Sequence, residues 1–292
     1  MKKQTKVWLS LTIGVSLLLM SMACNKQPAT NEAGSETTSA KKAPPTSGLG
    51  TITGVVAFNG AAPAPKKIDT SADPVCGQKN PNLATEDTVV KDGKLANVFV
   101  YIKDGTATDG TKIADYDWAT PTAAVTLDQN GCHYRPHILG VQTNQKITIT
   151  NSDPTQHNIH WTPSVNPEWN QSQPNGAPPI EKTFKQAEIL VPVKCNQHPW
   201  MKAYIGVMKT PFFAVSAEDG TFTIKGVPPG KYHVIAWKEG GAGTQKEMDV
   251  TVPAGGSATA NFAFGEGASA GMPGNLRIMP AVEFPMLGSS RH

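Results

Sequence analysis

The sequence predicts an all-β protein: two β-sandwiches set between ends that do not fold. Two observations carry that prediction. Apolar residues recur in short alternating runs, at Ile52–Phe58, Leu95–Ile102, Ala123–Leu127, Ile147–Ile149, Ala203–Val207, Phe222–Ile224, Tyr232–Trp237 and Val250–Val252. Turn residues separate most of these runs, as in Asp104-Gly105, Asp219-Gly220 and Pro228-Pro229-Gly230. Short strands with such punctuation build antiparallel sandwiches. The 24 Pro and 27 Gly among 292 residues multiply the turns, and no helical periodicity is sustained.

The first element is an address. Lys2, Lys3 and Lys6 precede an apolar run from Val7 to Met20, too short to span a bilayer comfortably. A charged head before such a run is a secretory signal, placed over residues 1–23. Ser21-Met22-Ala23-Cys24 resembles the lipobox of bacterial lipoproteins, with Ser21 where that family prefers Leu. The resemblance implies acylation of Cys24 and an N-terminal lipid anchor, hence a periplasmic protein on the membrane. Asn25 carries no inner-membrane retention signal, which favours the outer membrane by analogy. Residues 24–49 are rich in Ser, Thr, Ala, Pro and Lys and read as a disordered tether. Export permits disulfides.

The next element is discontinuous. In Phe212–Glu239, the segment DGTFTIKGVPPGKY turns at Asp219-Gly220, points Phe222 and Ile224 inward, turns at Pro228-Pro229-Gly230, then resumes the core face with Tyr232 and Val234. This segment resembles the carboxypeptidase regulatory-like domain, a small transthyretin/Ig-like β-sandwich. Thr51–Phe58 and Ala96–Ile102 match that family's first strands loosely. The resemblance implies one sandwich made of residues 50–105 and 210–264 with another domain inserted, simple tandem order being the alternative. Such domains work as non-catalytic spacers or docking modules. Gly226–Lys231 is a turn and not a phosphate loop: it is one residue short, with Tyr232 where Ser or Thr must meet magnesium.

The inserted element, residues 106–209, carries the chemistry. His157 follows the run Ile147–Ile149 in Asn151-Ser-Asp-Pro-Thr-Gln-His-Asn-Ile-His160. Further on stands Cys195-Asn-Gln-His-Pro-Trp-Met201, a C-x-x-H-x-x-M loop between apolar strands. One thiolate, two imidazoles and one thioether are the donor set of a blue copper centre. Thiolate bonds covalently to Cu(II), imidazole suits both oxidation states, and a weak thioether favours Cu(I). The spacing of Cys195, His198 and Met201 lets one tight loop aim all three at a point. The pattern resembles the cupredoxins, closest to amicyanin and plastocyanin, over Tyr134–Met201. That resemblance implies a Greek-key sandwich and a type 1 copper held by His157, Cys195, His198 and Met201. It also implies that Asn158 ties the two ligand loops together. His198 would then face solvent as the electron port, with Pro199 and Trp200 on an apolar docking rim. The stretch Val165–Ile180 reads as a long loop near the site. A Cys-His zinc site is the rival for the same residues.

Once Cys24 is assigned to lipid and Cys195 to metal, Cys76 and Cys132 remain. A disulfide is expected in an oxidising compartment. A second metal site of Cys132, His133 and His137 is the alternative. No C-x-x-C-H occurs, so covalent haem is excluded. Beyond Phe264 the chain is Gly-, Ala-, Met- and Pro-rich and reads as a disordered tail, residues 265–292.

Charge narrows the function. Without Lys2, Lys3 and Lys6, 23 basic residues face 23 acidic ones, so no basic footprint for nucleic acid exists. No Ser-His-Asp elbow, zincin helix or paired-carboxylate motif is present, so no enzyme is expected. The expectation is a monomeric one-electron carrier serving periplasmic redox proteins such as a cytochrome or dehydrogenase. A copper carrier or buffer, and a binding module with a vestigial site, are the alternatives.

Overall fold

The computed structural model describes residues 41–240 and 244–265. The expected signal segment, Cys24, most of the expected tether and the tail beyond residue 265 lie outside the described residues. Within them the protein is all-β. Alternation in sequence becomes alternation in burial: along strand Gly50–Asn59, Ile52 and Val56 are fully buried while their neighbours are partly exposed.

The sandwich that carries the candidate ligands, called here the ligand-bearing sandwich, has a sheet of Trp169–Gln173, His157–Trp161, Glu188–Lys194, Lys202–Met208 and Ile138–Gln142, in that order. The facing sheet runs Ile180–Lys182, Ile147–Asn151, Val125–Gln129, Tyr134–Arg135. Parallel pairs occur in both, Lys202–Met208 with Ile138–Gln142 and Val125–Gln129 with Ile147–Asn151. Leu127, Ile147, Ile149, Ile159, Val191 and Ile205 fill the space between. The stretch Val165–Ile180 is not a loop throughout. Trp169–Gln173 pairs antiparallel with His157–Trp161, and Trp169 rests edge-on against Trp161 at 5.0 Å, which holds the strand down.

The other sandwich draws its strands from both ends of the described chain. Gly50–Asn59 pairs antiparallel with Thr221–Val227 and parallel with Ser257–Thr259 and Phe262–Gly265. The opposite sheet runs Phe213–Val215, Phe99–Ala107, Gly230–Trp237, Gln245–Val252. Ile52, Val100, Phe222, Ile224, Val234 and Phe262 belong to its core. Residues 41–49, the end of the expected tether, lie against this body. Lys42 N donates to Asp115 O at 3.0 Å, and Lys42 Nζ reaches Asp109 at 2.6 Å.

Phe99, Tyr101, Ile138, Leu190, Met208 and Ile235 join the sandwiches in a third apolar cluster. Two glycines make the approach possible. A Cβ on Gly206 would stand 2.3 Å from the Phe99 ring, and one on Gly140 would stand 2.4 Å from the Phe213 ring.

One segment departs from the sequence-based boundaries. Residues 60–87, assigned above to the discontinuous sandwich, cross to the ligand-bearing one and include the short helix Pro74–Lys79. Cys76 and Leu83 are buried in the ligand-bearing core, and Ile68 packs against it. Burial of Leu83 and a disulfide from Cys76 to Cys132 hold the segment there.

Candidate metal centre

His157 opens a strand, and Cys195 and Met201 stand at either end of the turn between strands Glu188–Lys194 and Lys202–Met208. Backbone bonds shape that turn: Cys195 N donates to Met201 O at 3.1 Å, and Met201 N to His198 O at 2.9 Å. Asn158 couples the two ligand-bearing segments, its Oδ1 accepting from Asn196 N at 2.6 Å. Its amide nitrogen donates to Asn170 Oδ1 at 2.6 Å, so the side chain is fixed at both ends.

Three donor atoms converge. His157, Cys195 and His198 are buried and offer ligand atoms all within 4.8 Å of one another. The Nδ1 atoms of His157 and His198 are 2.9 Å apart, and Cys195 Sγ is 3.6 Å from His198 Nδ1. Met201 is fully buried in the same core cluster as Cys195.

The outer nitrogens are spoken for. His157 Nε2 meets Asp153 Oδ2 at 3.0 Å, and His198 Nε2 meets Asp73 Oδ2 at 2.9 Å. Asp153 has no exposed surface and also accepts from Gly131 N at 2.8 Å and Cys132 N at 2.7 Å. A carboxylate on Nε2 turns Nδ1 of each ring toward the metal side, the arrangement that orients and strengthens imidazole ligands.

The electrostatics agree with a ligand set. Burial opposes the Cys195 thiolate, yet hydrogen bonds from both imidazoles bring its pKa down to about 6. Burial likewise opposes charge on His157, but Asp153 and Cys195 raise its pKa to about 9. Burial works against both carboxylates too, and their hydrogen-bond donors still hold Asp73 and Asp153 below the ordinary range. A metal cation would take the place of the protons now shared among these atoms. The residues present therefore fit a thiolate-and-imidazole-bound ion.

One expectation is corrected, and one alternative is set aside in favour of the expected disulfide. His198 does not face solvent: the residue is 3% exposed, closed over by Asp73 and by Trp200 at 5.0 Å between ring centres. The physical reason is the crossing segment 60–87, which covers the edge that a bare sandwich would expose. Trp200 is only partly exposed and donates from Nε1 to Cys132 O at 3.2 Å, while Pro199 stays on the surface. Cys132, His133 and His137 do not assemble a metal site. Cys132 is bonded to Cys76, His133 lies 3.7 Å from Glu86, and His137 meets Glu239 at 2.6 Å. Sequence reasoning missed Asp73 and Asp153. Asp73-Pro74 is a legible helix start, a capping residue followed by Pro at the first helical position. Nothing local announces Asp73 as a partner of His198, 125 residues away.

Comparison with known proteins gives partial likenesses. Residues 200–260 match the family model of polysaccharide lyase family 4, domain II. No curated protein matches the chain in sequence. The structural neighbours include cupredoxins. An oxidised amicyanin variant is 24% identical over 29% of this chain and 81% of its own, with a TM-score of 0.26. The purple cupredoxin from Nitrosopumilus maritimus is 21% identical over 29% of this chain and 98% of its own, TM-score 0.25. A copper-containing nitrite reductase from Thermus scotoductus SA-01 is 20% identical, TM-score 0.26; 30% of this chain corresponds to 23% of the reductase. The chain thus spans about a quarter of the reductase.

Proposed function

We propose that this protein binds copper and transfers single electrons at the cell envelope. The observation that carries the reading is the convergence of His157, Cys195 and His198, buried at strand ends with both imidazole Nε2 atoms held by carboxylates. His157 Nδ1, His198 Nδ1 and the Cys195 thiolate form the strong donor set, and Met201 supplies the weak fourth. When bound, copper supplies a one-electron Cu(II)/Cu(I) couple. The chain's own residues hold the donors in place, exclude water and keep Cys195 deprotonated. A scaffold of paired strands and Asn158 keeps the donor positions alike in both oxidation states, so little reorganises on electron transfer.

The wider reading is an exported lipoprotein, acylated at Cys24, that acts as a monomer with a periplasmic cytochrome or dehydrogenase and catalyses no reaction itself. The discontinuous sandwich, residues 50–59 and 88–105 with 210–264, serves as a spacer or docking module beside residues 106–209 and the segment 60–87 that packs on them. A second reading, a copper carrier or buffer, is favoured by one observation: His198 is covered, where a fast electron port would be open.

Visible and EPR spectra after addition of Cu(II) test the proposal. The expected result is an intense thiolate-to-copper band with small hyperfine splitting, absent in Cys195→Ser. A colourless wild-type protein overturns it. Rapid self-exchange separates the electron carrier from the buffer.

A further inference from the structure

The covered edge of the centre is built from chain that the ligand-bearing sandwich does not itself contain. Helix Pro74–Lys79 sits at the crossing, capped by Asp73, whose Oδ1 accepts from Val75 N at 2.9 Å. The other oxygen, Oδ2, accepts from Thr155 Oγ1 at 3.0 Å and faces His198 Nε2 at 2.9 Å. Beside it, Cys76 Sγ lies 3.9 Å from His198 Nε2. Cys132, Asp153 and His157 also bring Sγ, a carboxylate oxygen and a ring nitrogen within 4.8 Å of one another. The disulfide therefore runs along the outer edges of both imidazoles. Beneath it Cys195 is 2% exposed.

The far end of this cover is pinned by ion pairs, Glu86 to Arg135 at 2.6 Å and Asp87 to Lys202 at 2.8 Å, whereas its helix end depends on the disulfide. A helix of six residues has no stability of its own. Apart from the disulfide and buried Leu83, the hydrogen bonds from the helix region to the ligand-bearing sandwich are those of Asp73 and one from Asn80 Nδ2 to Gly131 O at 3.3 Å. The Asp73 contact in turn fixes the His198 ring, the group that must swing aside for anything to reach Cys195 from this edge.

We propose that residues 60–87 form a redox-locked cover on the metal centre, with the Cys76–Cys132 disulfide as its lock and Asp73 as the residue that positions His198. A dithiol reductant opens it. One reductant thiolate attacks the disulfide and forms a mixed disulfide, and the second reductant thiol displaces it. Two electrons and two protons pass to Cys76 and Cys132 as thiols, and the reductant leaves as a disulfide. Helix Pro74–Lys79 then lifts, Asp73 leaves His198, and the ring gains the freedom to expose Cys195. The disulfide form retains its metal and the dithiol form loads and releases it. The metal's identity rests on the copper reading above, whereas the cover acts on the metal-free centre as well.

The test uses both states. In metal-free full-length protein, alkylation of Cys195 by iodoacetamide is followed on its own peptide by mass spectrometry, at the pH where the rate has reached its thiolate plateau. Cys76→Ser with Cys132→Ser is expected to accelerate it at least tenfold. Asp73→Ser keeps a helix-capping hydroxyl but is too short to reach His198, and is expected to accelerate it severalfold with the disulfide intact. Wild-type rates in both variants overturn the proposal. If the double variant loses its strand circular dichroism, Asp73→Ser decides alone. In a second arm, Co(II)-loaded protein is challenged with EDTA, and tenfold faster loss is expected from the double variant. Equal loss from folded wild type and double variant also overturns the cover. Absence of a thiolate-to-cobalt band in wild type counts against the metal reading, and the alkylation rates still judge the cover.

Discussion

At Cys195 two opposing influences meet. Burial disfavours the thiolate, and two imidazoles favour it strongly enough to bring its pKa down to about 6. The far nitrogens of both imidazoles are held by carboxylates, and of these Asp153 carries more than one duty. It bonds His157 and satisfies the backbone N–H groups of Gly131 and Cys132, all without solvent. Truncation leaves three buried donors unmatched. Asp153→Ala is expected to destabilise the metal-free protein by about 2–4 kcal/mol, read from the urea midpoint at constant m-value. An unchanged midpoint would show that water replaces the carboxylate.

Among the elements, the pairing of strands depends on small residues as much as on large ones. Gly206 lies in strand Lys202–Met208, which leads away from Met201, and its open face receives the fully buried Phe99 ring. Gly206→Ala places a methyl where the ring already stands. The expected cost is about 1–3 kcal/mol, and the shift should appear as a lower thermal midpoint. A neutral result would mean that the Phe99–Phe213 ring pair, 5.8 Å between centres, can slide as a unit. The 56-residue span between Cys76 and Cys132 contributes at the same scale. Closing a loop of that length stabilises by roughly 4 kcal/mol in the chain-entropy model.

For the whole molecule, the joint between the sandwiches is polar as well as apolar. Glu239, just beyond strand Gly230–Trp237 of one sandwich, meets His137 at 2.6 Å, Lys202 at 2.7 Å and Tyr204 at 3.0 Å on the other. Burial raises its pKa, but these partners prevail and hold it at about 2, below an ordinary 4.5. A depressed carboxyl contributes stability above its unfolded pKa and loses it as pH falls through the folded value. Wild type is therefore expected to exceed Glu239→Gln by about 2–3 kcal/mol at neutral pH, with the gap closing between about pH 4.5 and 2. Denaturant titrations across that range check it, and a pH-independent gap would assign the loss to packing.

By itself the sequence determined the all-β class, because period-two burial and turn residues are local properties, visible in Ile52–Phe58 or Pro228-Pro229-Gly230. It also singled out the candidate donors, since C-x-x-H-x-x-M places Cys195, His198 and Met201 in one turn whatever surrounds it. Only the tertiary structure decided what lies on the outer side of that turn. Asp73 reaches His198 and Cys76 reaches Cys132 across long stretches of chain. Such contacts arise from packing one sandwich's crossing segment onto the other, and no local pattern encodes them. Burial of His198 follows from that packing, which is why a ring expected to face solvent is enclosed.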